Sequence, residues 1–71
     1  MHLTDEAIEN IFTYHAPKGD QAERYVKLRE KAKEFARVVQ ECCPDSREKS
    51  LAVTSLQQAS MWANASIAIN E

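Results

Sequence analysis

Charge is absent from one long stretch of this chain. Although 28% of its residues are charged, the twenty-one from Ser50 to Asn70 include no Asp, Glu, Lys or Arg. A helix with no charged face and apolar residues on every side is normally buried all round. Ser50, Thr54, Ser55, Gln57, Gln58, Ser60, Asn64, Ser66 and Asn70 nevertheless make it too polar to span a bilayer, so the chain is expected to be soluble, with no membrane partner. Cysteine is limited to Cys42 and Cys43. Neighbouring cysteines do not staple a fold, and no Cys/His spacing fits a zinc site. They are read as reduced, in keeping with a cytosolic protein. Histidine is limited to His2 and His15, too few for a triad or a metal centre, so no catalytic residues, metal or cofactor are expected. Positive charge is not in excess either. A net charge of -2 argues against a binder of polymeric nucleic acid, though not against a local basic pocket. The start, Met1 to Glu6, has neither a basic region nor an apolar run of the signal-peptide kind.

The single Gly and two Pro punctuate what remains. No strand signal or repeat is visible, and the pattern predicts an all-α, single helical-hairpin domain over residues 1–71. Thr4 is a fair N-cap for a short helix at about 5–12, with Asp5 and Glu6 in its first turn. Its apolar side is Ala7, Ile8, Ile11 and Phe12. A loop at 13–19 follows, where Pro17 disfavours helix at Ala16 and Gly19 suits a positive φ. A long helix is expected over 20–43, capped by Asp20 with Glu23 in an acidic capping box. Its heptad-like seam is Tyr25, Leu28, Ala32, Phe35, Val39 and Cys42. A turn at 44–45, with Asp45 and Glu48 as cap and partner, leads into a last helix over 46–70. So short a turn forces an antiparallel hairpin. In the last helix Ala52, Leu56, Ala59, Ala63 and Ile67 form one seam, while Leu51, Val53, Met61, Trp62 and Ile69 point elsewhere. The hairpin partner and the short first helix together cover about half of that surface, so a helical homo-oligomer is expected.

Several polar residues bear on function, each with a bland and a sharp reading. Tyr14 either packs the loop on the hairpin or stacks on a base. His15 either makes a packing hydrogen bond or touches a ligand. Arg29, Lys33 and Arg37 recur at four-residue steps. They form either a solvated row beside Glu30 and Glu34 or, through the planar Arg fork, a phosphate contact. Arg47 and Lys49 stand at a helix start, where the dipole disfavours cations. They serve either salt bridges or a second anion site. Asn64 serves either an interhelical hydrogen bond or a ligand.

The stretches FTYHAPKGDQAERYVKLREKAKEFA and CPDSREKSLAVTSLQQASMWANASIA carry a wider likeness. The most specific motifs are Phe12-Thr13-Tyr14-His15, Tyr25 through Arg29, Cys43 through Ala52, and Met61-Trp62-Ala63-Asn64-Ala65. Over residues 11 to 70 the chain closely resembles the phage anti-CBASS sponge family, which shares a helical hairpin with the anti-Thoeris sponges. The resemblance implies a hexamer acting in the host bacterial cytoplasm. It implies tight binding, without cleavage, of cyclic nucleotides made by bacterial defence enzymes, which keeps the defence effector inactive. Cyclic dinucleotides such as cyclic GMP–AMP are expected between paired subunits, and in some members cyclic trinucleotides sit in separate pockets around the threefold. By position, Tyr14 would stack on a base and Arg29 would hold phosphate, with His15 and Lys33 as neighbours and Lys27 as a further cation if the pocket's register differs. Arg47, Lys49 and Asn64 are assigned to a possible second site. The family is expected to carry an Arg where this chain has Ile69, a difference that favours dinucleotide over trinucleotide as ligand. The competing expectations are a structural oligomer or adaptor that docks another protein on its apolar face, and an enzyme that cleaves the nucleotide.

Overall fold

Thr4 begins the first helix by accepting a hydrogen bond from the Ala7 amide at 3.1 Å. The computed structural model describes residues 2–71, and the described residues form three α-helices and no strand. The helices are α1 (Asp5–Phe12), α2 (Gln21–Cys42) and α3 (Arg47–Asn70). Gly19, with φ of +58°, supplies the left-handed residue that turns the loop into α2. Among the described residues, no helix is long and apolar enough to cross a membrane.

Both long helices are one residue shorter at the start than expected, and the reason is capping. Asp20 precedes α2, but its side chain makes no capping bond. Its carboxylate turns to Arg24 at 3.2 Å instead. α3 is capped by Ser46 rather than Asp45, with the Ser46 hydroxyl accepting from the Lys49 amide at 3.1 Å. Asp45 is left to pair with the Lys49 ammonium at 3.1 Å. That same ammonium donates to the Gln40 carbonyl at 3.4 Å, in the last turn of α2. Lys49 is therefore out of place only for its own helix. It sits against the negative end of the neighbouring one, where a cation is favourable.

Lys49 against Gln40 and Glu71 against Arg24 mark the two ends of an antiparallel hairpin. The seam between α2 and α3 departs from the expected residues at a few positions. On α2 it runs through Tyr25, Leu28, Ala32, Ala36 and Val39, while Phe35 and Cys42 are exposed. On α3 it runs through Lys49, Leu56, Ser60, Ala63 and Ile67, while Ala52 and Ala59 are exposed. The seven-residue repeat itself persists, in Tyr25, Ala32 and Val39 and in Lys49, Leu56 and Ala63. What differs within it is one position in each helix, Ala36 in place of Phe35 and Ser60 in place of Ala59, each four residues rather than three beyond the preceding seam residue.

The chain by itself has almost no core. Val39 is its one buried apolar residue among those described, and α1 barely touches the hairpin. Phe12, Met61, Trp62 and Phe35 are all more than half exposed. The radius of gyration is 15.6 Å, against about 11 Å for a compact chain of this length. The accessible surface is 5928 Å², where a compact monomer of this mass has roughly 4,500 Å².

Candidate functional site

The loop between α1 and α2 lies over the first half of α2 and the last half of α3. A concavity of about 330 Å³ opens there, lined by Tyr14, His15, Pro17, Tyr25, Arg29 and Asn64. Tyr25 and Arg29 share a face of α2 because they are four residues apart. His15, Tyr25 and Asn64 are half-buried and form the floor; Tyr14 and Arg29 are exposed and form the rim.

Each wall has its own support. The His15 ring lies 2.8 Å from the Asn10 carbonyl through Nε2, and the Asn10 side chain in turn donates to the Ile69 carbonyl at 3.1 Å. The loop entry is thereby tied to the end of α3. Arg29 forms no salt bridge with any of the described residues. The Asn64 Oδ1 is buried with no hydrogen-bond partner among them. A buried, unpaired amide oxygen costs about 1–3 kcal/mol, which favours a turn of the Asn64 side chain toward a donor.

The other expected residues fall elsewhere. Lys33 lies one turn beyond Arg29, in a second groove of about 350 Å³ that Arg29 also borders and that Val53, Leu56 and Met61 make apolar. Its ammonium pairs with Glu30 at 3.3 Å. Lys27 borders neither concavity. Lys49 lines a separate hollow at the turn with Gln40, Asp45 and Ser46, and Arg47 borders none of the three. Asn64, assigned to a second site by sequence reasoning, belongs to the same concavity as Tyr14. Tyr25 and Pro17 are additions that no site was expected to contain. The four-residue step from Tyr25 to Arg29 was the available signal for the first of them.

The far side of this region is held by an ion pair. The Arg24 fork grips the Glu71 carboxylate at both oxygens, one contact being 2.8 Å. That grip holds the Glu71 carboxyl at about 2, well below its ordinary 4.5, with help from Gln21 and Lys18 against a smaller opposing effect of burial. Arg24 is correspondingly shifted upward, chiefly by its hydrogen bonds to Glu71. A carboxylate with a depressed folded-state pKa adds stability that is whole above its unfolded value and lost as pH falls through its folded value. The window here runs from pH 4.5 down to 2. Wild-type melting temperature is expected to fall more steeply across that window than that of Glu71→Gln, as followed by circular dichroism. Parallel curves would mean the pair contributes nothing.

An aromatic rim and a guanidinium with no salt bridge among the described residues make this concavity a candidate site for a flat, anionic molecule. Among the described residues no group of three His, Cys, Asp or Glu side chains is placed to hold a metal ion. The family comparison agrees with the class. The model of the Acb2/Tad1 hairpin domain matches residues 4–68, and the chain belongs to that family. Membership implies a phage sponge for cyclic-nucleotide signals. Neither the curated proteins nor the solved structures include a match to this chain.

Proposed function

We propose that the protein is an anti-defence sponge that sequesters cyclic dinucleotides, cyclic GMP–AMP foremost, in the host bacterial cytoplasm, without cleaving them. The observation that carries this reading is the joining of Tyr14, His15, Tyr25, Arg29 and Asn64 in one concavity, in a chain of the Acb2/Tad1 hairpin family. Tyr14 stacks on a base. Arg29, having no carboxylate of its own among the described residues, takes a phosphate. Asn64, once its side chain turns toward the concavity, hydrogen-bonds an exocyclic amine or a sugar hydroxyl. Lys33 adds positive potential from the adjoining groove. Cyclic trinucleotides are a weaker fit, because Ile69 is apolar and Lys49 is already engaged by Asp45 and Gln40.

A cavity of about 330 Å³ is at the small end for a ligand site; pockets for drug-sized molecules run roughly 300–1,000 Å³. One protomer therefore houses about half of a cyclic dinucleotide, and a second copy closes over the rest. The surface beyond that of a compact monomer, roughly 1,400 Å², is of the order that a stable association buries. Both points support a homo-oligomer, and we take the hexamer as the assembly.

Incubation with cyclic GMP–AMP, removal of free ligand, denaturation and chromatography test the reading together. Intact nucleotide released only on denaturation is the expected result. A linear product would make the protein an enzyme. Empty protein across a panel of cyclic di- and trinucleotides would remove the sponge reading and leave the structural oligomer, to which the exposed Phe35 and Trp62 would then belong.

A further inference from the structure

Besides Val39, the one buried residue among those described is a glutamine. Gln21, at the first position of α2, is 4% exposed. A primary amide costs free energy to bury unless both its ends are hydrogen-bonded, and here both are. Its Oε1 accepts from the Lys18 backbone amide at 3.1 Å, and its Nε2 donates to the Glu71 carboxylate at 3.4 Å. Lys18 is also held by its own ammonium, which reaches the Glu71 carbonyl at 2.7 Å.

These contacts fall at the exit of the loop that carries Tyr14 and His15. The entry of that loop is tied to Ile69 through Asn10. Both ends of the loop are thus fastened to the end of α3. Tyr14, at 80% exposed, has little packing of its own to hold it. Its position depends on where the two ends of the loop are fixed.

We propose that Gln21 is a positioning residue that pre-organises the Tyr14–His15 loop for its ligand by locking the Lys18 amide to the end of α3. The inference rests on the reading of the Tyr14 concavity as the nucleotide site. Its physical content is that the loop is ordered on folding, so that ligand binding does not bear that cost. A purely structural glutamine would lower stability when replaced and leave the affinity of the folded, assembled protein alone.

The test uses Gln21→Leu, Gln21→Glu and the exchanged pair Gln21→Glu with Glu71→Gln, all well below their melting temperatures. Hydrogen exchange reads the Lys18 amide, and stopped-flow or surface binding reads cyclic GMP–AMP. Gln21→Leu is expected to speed exchange at Lys18 and to weaken binding about tenfold, largely by slowing association. Gln21→Glu keeps the acceptor for Lys18 but sets two carboxylates face to face. In the exchanged pair, the amide at 71 donates to the carboxylate at 21 and its oxygen still accepts from Arg24. That pair is expected to bind within about threefold of wild type. Wild-type affinity in a Gln21→Leu protein whose Lys18 amide exchanges freely would overturn the proposal. So would an exchanged pair no better than Gln21→Glu alone, a comparison that holds even if Gln21→Leu does not fold. Wild-type protein that binds no cyclic nucleotide would instead remove the ligand reading itself, and this inference with it.

Discussion

Tyr14→Ala and Arg29→Glu are each expected to abolish retention of cyclic dinucleotide while leaving fold and assembly intact. Both residues are exposed on the rim of the concavity, so neither change opens a cavity in the hairpin. Loss of one base–aromatic stack costs about 1–3 kcal/mol, or roughly 5- to 150-fold in affinity. The charge reversal is the larger effect. It removes a charge-assisted hydrogen bond to phosphate and places like charges together, which costs about 2–5 kcal/mol. Retention depends on slow release, so both variants read as empty after removal of free ligand. Equilibrium binding by calorimetry separates them, with Arg29→Glu the weaker. Wild-type affinity in either variant, with its circular dichroism unchanged, would mean the ligand sits elsewhere. Lys33→Ala serves as the inner comparison. Its ammonium is already paired with Glu30, so its loss is expected to cost less than that of Arg29.

Ala59→Glu is expected to dissolve the assembly into protomers. Ala59 is exposed on the single chain, beside the exposed Phe35 in a shallow apolar concavity on the hairpin's surface. A carboxylate there is harmless to the isolated hairpin. In an interface it would be buried without a partner, at a cost of several kcal/mol. The choice of Ala59 over Ala63 matters. Ala63 is half-buried in the seam of the hairpin, so a charge there would disturb folding as well as assembly. Sedimentation velocity reads the outcome, and an unchanged distribution for Ala59→Glu would show that this face is not an interface. Because the ligand site is proposed to close only on a second copy, dinucleotide retention should fall with the assembly.

Much of the fold was legible because local signals agreed. Thr4, Gly19 and Pro44 bracket the elements, and the absence of Gly and Pro inside the long helices leaves them unbroken. The errors lie where two local rules compete. Asp45 and Ser46 are both good caps, and the extended backbone at Ser46 decides between them. Positions three and four beyond a seam residue both lie near its face, and the fold takes Ala36 over Phe35 and Ser60 over Ala59. Lys49 looked misplaced because a sequence shows only the helix a residue belongs to, not the one whose end it meets.

The candidate site was legible in a different manner. Tyr14, His15 and Arg29 stood out by residue type with a bland reading beside each, the family resemblance gave them roles, and the fold sets them round one concavity. Asn64 was assigned to a second site, and the fold sets it beside Tyr14, a neighbour that nothing local in the sequence ties to it. Gln21 carried no signal at all. A glutamine at a helix start reads as exposed, and only the fold reveals it as buried and doubly bonded.

The central claim is that this chain holds a cyclic dinucleotide at the Tyr14–Arg29 concavity, between copies of itself. Isothermal titration of the assembled wild-type protein with cyclic GMP–AMP tests it most directly. The prediction is saturable, tight binding that ends at one ligand for about every two chains, as a site closed by a second copy requires. Absence of binding by cyclic GMP–AMP and by a panel of other cyclic dinucleotides would contradict the account. So would saturation at one ligand per chain, because each concavity would then be complete alone.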